Sequence, residues 1–446
     1  MTDNPLILMP LRNYIPYALI KSQPKLIKNA RIYPKMSDNQ NKITKNDIRI
    51  LQYNILAKGL AYDGFVCSDH LETRDEGVKT IPEFLEEIQE IKHDSEALKH
   101  LAEKYDTQSN NTIYNYTLFW PNRWRKIKNM IKSQDPDILV FQEMDCYAEA
   151  LEDLEKMGYI STYHRNYQME LDIVPYQPMW EILNADSDTY LHILENQSYA
   201  FIPKLFSKAR KFSLKIRPNE SADNDGCAIF WKAERFTLQN LKFCQFYEYE
   251  SEKKDEDGAM AVILYDKMTK KEICVITSHL PSGQTKEREE ERLEILSDTD
   301  RGVFRRFISG LMKKYHHVIV ALDANSDPNT TYGADSNVWQ AFRKIPNLSS
   351  VWDPYVSSDS IGEGEFINGQ PVTVNKIRGP KSNQPKKIGI HSYELIDHVF
   401  YSSDGFEFKG FGALNIFDSK EQSLNHLIPN EIEASDHYPV IVDFDF

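Results

Sequence analysis

The chain has 446 residues, 41% of them apolar and 27% charged, with a formal net charge of −14. It is longer than one average domain and apolar enough for a sizeable core, yet no run approaches the roughly 18 apolar residues that a membrane span needs. The acidic balance argues against a protein that coats nucleic acid, because phosphate contacts take Lys and Arg, but it leaves room for a local basic groove or a small phosphorylated substrate met through a bound metal.

Residues 1–46 read as a basic, proline-punctuated tail. Pro10, Pro16, Pro24 and Pro34 interrupt it, and its lysines face only Asp3 and Asp38. Such a leader is expected to be solvated or weakly docked. Its apolar stretch from Pro5 lacks a preceding basic region, so it is a poor secretory signal, while a mitochondrial address stays open although Ser and Arg are sparse. The five cysteines, Cys67, Cys146, Cys227, Cys244 and Cys274, form no CxxC pair. Scattered and odd in number, they read as reduced thiols, mostly buried, of an intracellular and by expectation cytoplasmic protein.

From Asp47 onward strand-like and helix-like runs alternate, which predicts an α/β layered fold. In Ile48–Asn54 the even positions Ile48, Ile50, Gln52 and Asn54 share one face at period two. Residues 82–105 have a charged helical pattern. Trp124–Ser133 reads as a helix before a buried strand over 137–143. Gly226–Trp231, Met260–Tyr265 and Ile273–His279 read as three strands in consecutive hairpins. Lys286–Met312 reads as one long charged helical region before a strand over 317–322. Strands over 395–401 and 438–446 complete the pattern. No P-loop and no GxGxxG is present, so no nucleotide cofactor is indicated.

The apolar runs share a manner of ending. They stop at Asn54, Glu143, His279 and Asp397, one leads into Asp323-Ala-Asn325, and Asp436-His437 precedes the last. Taken singly, each has an ordinary explanation as a strand terminator or a structural histidine. Gathered on one rim, they form a set that can hold a hard divalent cation and activate water against a phosphate ester. Mg²⁺, or Mn²⁺ in its place, takes oxygen ligands, one or two carboxylates among them. Glu143 suits the first carboxylate. Asn54 and Asn325 can meet phosphate without adding negative charge. His279 and His437 can donate to phosphate oxygens, Asp397 can hold His437 in one tautomer, and Asp323 can orient or deprotonate water.

The runs around these residues resemble the endonuclease/exonuclease/phosphatase superfamily, and within it the carbon catabolite repressor-type deadenylase and nocturnin branch. The resemblance rests on Gln52-Tyr-Asn54-Ile-Leu-Ala57, on Trp120-Pro-Asn-Arg123 and on Pro136-Asp-Ile-Leu-Val-Phe-Gln-Glu143-Met-Asp145. It continues through Asp225-Gly-Cys-Ala228 with Arg235-Phe236, Thr277-Ser-His279-Leu, Leu322-Asp323-Ala-Asn325, Ile396-Asp397-His-Val-Phe-Tyr401 and Ala434-Ser435-Asp436-His437. What it implies is a four-layer αββα sandwich of two mostly antiparallel mixed sheets flanked by helices. It implies a catalytic domain over 47–446, with stretches near 66–115 and 165–215 inserted. It implies Glu143 and Asp436 at the metal, with Asn54, His279, Asp323, Asn325, Asp397, Asp436 and His437 in catalysis.

Two departures bear on substrate. Pro281-Ser-Gly283 stands where the nocturnin pattern has basic residues, which speaks against a nicotinamide-dinucleotide 2′-phosphatase. Thr373-Val-Asn-Lys376-Ile-Arg378 resembles a nocturnin run, with Asn375 in the Trp position, and offers Lys376 and Arg378 as substrate contacts. Within the second inserted stretch, aromatics such as Tyr176 and Trp180 can stack bases or form a satellite core. The reading is a Mg²⁺-dependent 3′-5′ exoribonuclease acting on RNA 3′ ends. Its rivals are a phosphatase of small phosphorylated nucleotides or dinucleotides, and an inactive RNA-binding scaffold, which would have no need of this cluster.

Overall fold

The computed structural model describes residues 47–58, 60–61, 64–66, 70–73, 77–105, 117–165, 226–246, 258–356, 369–379 and 388–446. The basic tail 1–46, Cys67 and nearly all of the aromatic stretch 165–215 lie outside them. In chain order the strands are β1 (Ile48–Asn54), β2 (His70–Thr73), β3 (Gly77–Thr80), β4 (Ile138–Gln142), β5 (Tyr159–Arg165) and β6 (Gly226–Lys232). They continue with β7 (Phe236–Gln245), β8 (Gly258–Asp266), β9 (Lys271–His279), β10 (His317–Asp323) and β11 (Leu348–Ser350). The last are β12 (Val374–Ile377), β13 (His391–Glu394), β14 (Asp397–Ser402), β15 (Glu407–Ala413) and β16 (Val440–Asp445).

These strands build two mixed six-stranded sheets. One has the order β15-β16-β1-β4-β6-β5, the other β11-β14-β10-β9-β8-β7. Each has one parallel pair at its centre, β1 with β4 and β10 with β9, among antiparallel neighbours. Helices flank both sheets, as expected for the α/β sandwich. The stretch 66–115 holds the β2–β3 hairpin and two helices, Ile81–Ile91 and Ser95–Tyr105.

The main core lies between the sheets. Ile48, Ile50, Ile138 and Val140 from the first pack with Val275, Ile319, Ala321 and Val399 from the second. The helix Trp120–Gln134 shows how sequence specifies an element. Pro121 opens it, Trp120, Arg123, Trp124, Ile127 and Ile131 fall on its buried side, and Asp135 closes it with a left-handed φ of 45°.

Two expectations need correction. The run of three consecutive hairpins omitted β7, which pairs with β8, and β6 belongs to the other sheet between β4 and β5. The strand β7 is an edge, carries Asn240 and Lys242, and has an irregular register between Leu238 and Asn240, so its alternation is broken. The single helix read over Lys286–Met312 is two, Lys286–Ile295 and Val303–Lys314. The chain turns between them, where a side chain at Gly302 would meet the Ser297 carbonyl oxygen at 1.8 Å.

At the end of the sandwich where β1 begins, Arg235 ties the sheets together. It donates to the Asp47 carbonyl at 2.7 Å, to Asp137 at 3.0 Å and to both oxygens of Asp266 at 3.2 and 3.0 Å. Asp47 and Asp137 precede β1 and β4 of one sheet, whereas Asp266 ends β8 of the other. Breaking a buried pair leaves an uncompensated charge. Arg235→Met is therefore expected to lower stability by about 3 kcal/mol or more at neutral pH, read as the shift in a denaturant midpoint.

Candidate active site

Facing strands turn from apolar to polar as they approach one rim. On β1 the inward residues run Ile48, Ile50, Gln52, Asn54, and on β4 Ile138, Val140, Gln142. Across the gap, β9 presents Val275, Thr277, His279 and β10 presents Ile319, Ala321, Asp323. In register, Asp323 pairs with His279 on one side and with Asp397 on the other. Because side chains alternate, this register puts His279, Asp323 and Asp397 on one face.

The polar ends meet across the sheets in two tiers. In the deeper tier, Gln142 Nε2 donates to Thr277 Oγ1 at 3.0 Å, while Gln52 Nε2 donates to Gln142 Oε1 and to Asp397 Oδ1, both at 2.7 Å. At the rim, Asn54 Nδ2 donates to Asp323 Oδ2 at 2.8 Å and to Glu143 Oε1 at 3.0 Å. His279 Nε2 lies 3.4 Å, and His437 Nε2 3.9 Å, from that same Asp323 oxygen. His437 Nδ1 is 2.7 Å from Asp397 Oδ2. All these side chains are buried except His279, which keeps a little exposure.

Backbone shape serves the cluster. Leu56, Glu143 and Asn325 all have left-handed φ, at 58°, 55° and 49°. For Leu and Glu this conformation costs of order 1–3 kcal/mol and persists only where surroundings hold it. Here Glu143 Oε2 accepts from the Ala57 N–H at 2.8 Å, and Leu56 N–H donates to Asn54 Oδ1 at 3.0 Å. Asn325 is turned aside: its Nδ2 donates to the Leu280 carbonyl at 2.8 Å and its N–H to Asp323 Oδ1 at 2.9 Å.

Charges compensate one another. Lys376 and Asp436 form a buried ion pair, and Arg378 lies over the Phe65 ring at 5.0 Å. Burial alone would raise the Asp436 carboxyl, but the charges of Lys376 and His437 outweigh it and hold it well below the usual carboxylate range. For His437 burial works toward the neutral form, yet Asp397 and Asp436 dominate and lift it to about 9. Asn375 is structural, donating to the Ser423 and His426 carbonyls at 2.8 and 3.1 Å.

Asp323, Asp397 and His437 each offer a ligand atom within 4.8 Å of the others, a buried group that could hold a metal ion. Two hard carboxylate oxygens and an imidazole fit a divalent cation. Glu143 and Asp436, read from sequence as the ligands, are outside that trio. Glu143 is held by Asn54 and the Ala57 N–H, and Asp436 by Lys376.

Several residues to which the sequence reading gave no role support the site. Arg123, fully buried, donates to the Ala434 carbonyl at 2.7 Å and to the Ile55 and Leu56 carbonyls. It thus joins the loop after Asn54 to the segment carrying Asp436 and His437, which Ser435 Oγ also ties to the Asn54 carbonyl at 2.7 Å. Glu289 and Arg292 form a fully buried pair at 2.6 Å. Arg292 holds the Pro281 and Gly283 carbonyls, and Glu289 holds Ser326 Oγ and the Val338 N–H. Their i, i+3 spacing in a charge-rich helix carries no sequence signal of burial. Thr373 Oγ1 accepts from the Ile396 and Asp397 N–H groups at 3.0 and 3.1 Å.

Paired mixed sheets with a carboxylate, amide and imidazole cluster at one rim define an α/β sandwich built for phosphate-ester chemistry. Residues 115–437 match the Endonuclease/Exonuclease/phosphatase family, and the chain belongs to it. Membership supports phosphoric ester hydrolysis. The chain is 20% identical over 355 residues to the CCR4-Not complex 3′-5′-exoribonuclease subunit Ccr4 of Kluyveromyces lactis, covering 74% of this chain and 38% of that protein. It is 26% identical over 293 residues to Nocturnin of Drosophila melanogaster, covering 63% of this chain and 42% of that one. It therefore spans well under half the length of these two relatives. Among solved structures, ANGEL2, a 2′,3′-cyclic phosphatase, matches with a TM-score of 0.50 at 17% identity, over 89% of this chain and 95% of that one. No helix among the described residues is long and apolar enough to cross a membrane.

The raised His437 value has a stability consequence in EDTA. A group lifted from 6.5 to about 9 stabilises fully below pH 6.5 and loses that contribution as pH rises through about 9. Melting temperature in EDTA should therefore fall between these limits, and His437→Asn should flatten that fall. An imidazole NMR titration near 6.5 instead would contradict the assignment.

Proposed function

We propose that the chain is a Mg²⁺-dependent phosphodiesterase that removes nucleotides from the 3′ end of RNA, poly(A) being the favoured substrate. The observation that carries this reading is the convergence of Asn54, His279 and His437 on the single oxygen Asp323 Oδ2. A carboxylate fixed by one amide and flanked by two imidazoles is placed to orient a water beside groups that can donate to a phosphate. The relative named as a 3′-5′-exoribonuclease subunit supports RNA as the substrate class.

In this reading Glu143 and Asp436 would hold the cation. The hydrogen-bonded Asp397–His437 pair is kept for the phosphate, because a protonated imidazole donates and does not ligate. A bound Mg²⁺ would supply charge stabilisation at the phosphate oxygens. Water's oxygen bonds to phosphorus, Asp323 receives its proton, and the departing 3′ oxygen takes a proton from His437 Nε2 as its bond to phosphorus breaks. His279 and Asn54 line the phosphate, Asn325 steadies Asp323 and the Leu280 carbonyl beside them, and Arg378 meets the substrate beyond, with Lys376 paired to Asp436. Asp397, held by Gln52, accepts from His437 Nδ1 and stabilises the imidazolium that donates from Nε2.

Labelled oligo(A) incubated with Mg²⁺ should shorten from its 3′ end, and EDTA should abolish the shortening. Glu143→Ala, Asp323→Ala and His437→Ala should each lower turnover by about 10²-fold or more while still unfolding cooperatively. Intact oligo(A) beside chelation-sensitive phosphate release from a mononucleotide panel would transfer the reading to a small-molecule phosphatase.

A further inference from the structure

The β12–β13 hairpin stands beside the rim cluster. Val374 bridges antiparallel to His437 on one side and pairs with Glu394 on the other. Residues directly opposite in antiparallel pairs point the same way, so His437, Val374 and Glu394 share a face, and Lys376, two residues on, shares it too. Glu394 thus lies two strand spacings, roughly 10 Å, from His437 on the cluster's own side. The hairpin is pinned there. Thr373 donates its N–H to the Glu394 carbonyl at 2.9 Å and accepts the Tyr438 N–H at 2.7 Å.

The Glu394 side chain is half-buried and reaches across to the loop after β9, where exposed Gln284 donates its amide to Glu394 Oε2. The titratable groups facing it are Lys376, His437 and Asp327. Lys376 is committed to Asp436, and Asp327, buried close by, accepts the Leu395 and Asn329 N–H groups at 2.7 Å each. Burial and the proximity of Asp327 push the Glu394 carboxyl up to about 7, against the opposing pull of Lys376 and His437.

Resting on the reaction proposed above, we infer that the Glu394–Gln284 pair is a specificity determinant. It accepts a hydroxyl or amino donor of the nucleotide next to the reacting phosphate, and it rejects a second phosphate at that position. Once ionised, above about pH 7, the carboxylate offers lone pairs to O–H and N–H groups, whereas a phosphate brought against it meets like charge. The substrate class is accordingly a nucleotide chain or mononucleotide whose sugar next to the reacting phosphate carries a free hydroxyl and no further phosphate.

Calorimetric binding of adenosine 5′-monophosphate and adenosine 3′,5′-bisphosphate to the full chain, with Ca²⁺ in place of Mg²⁺, tests this without turnover. Wild type should bind the monophosphate tighter by about fivefold, Glu394→Gln should bring the two within about twofold, and Glu394→Lys should reverse the order. An equal ratio in all three proteins would overturn the inference, as would failure of wild type to bind either nucleotide. The oligo(A) assay separates the two proposals. A binding ratio that shifts with Glu394 in a protein that leaves oligo(A) intact would discard the exonuclease reading and keep the specificity determinant.

Discussion

Everything at the rim depends on one hydrogen bond between sheets, Asn54 Nδ2 to Asp323 Oδ2 at 2.8 Å. Asn54 ends a strand of one sheet and Asp323 a strand of the other, so the bond closes the gap where the apolar core stops. A neutral amide is the residue type this place requires. A carboxylate at position 54 would face both Glu143 and Asp323 with like charge, and an aliphatic side chain would leave Glu143 Oε1 and Asp323 Oδ2 without the amide they share. The deeper tier of Gln142, Thr277, Gln52 and Asp397 carries the same logic one layer down, changing apolar packing into directed polar contacts.

Such a concentration of buried polar groups is stable only if its loops cannot relax. Arg123 supplies that restraint from the first sheet's side and the Glu289–Arg292 pair from the second. All three charged groups are fully buried and spend hydrogen bonds on backbone carbonyls or N–H groups of the loops that bear the cluster. The left-handed backbone at Leu56 and Glu143 marks where that restraint is strongest. Strain of this kind persists at a site because the surroundings over-determine it.

Much of this was legible in the chain, for identifiable reasons. Gln52 and Asn54 share the inner face of β1 with Ile48 and Ile50 because a strand has period two. The buried runs around 137–143 and 317–322 were evident as continuous apolar stretches. The edge strand β7 was not, because its broken alternation carries no clear periodic signal. Glu289 and Arg292 were equally hidden: nothing in a charge-rich helical stretch distinguishes a solvated pair from one that loops will cover.

The chain by itself determined which residues stand at strand ends and their chemical types, since strand termination and side-chain period are local properties. Only the tertiary structure decided which of them touch. The register of β10 between β9 and β14 places Asp323 beside His279 and Asp397. The bridge of Val374 to His437 brings Lys376 and Glu394 to the same face. Pairings between segments more than a hundred residues apart, such as Asn54 with Asp323, arise from two sheets packing over a shared core, and no local pattern encodes them.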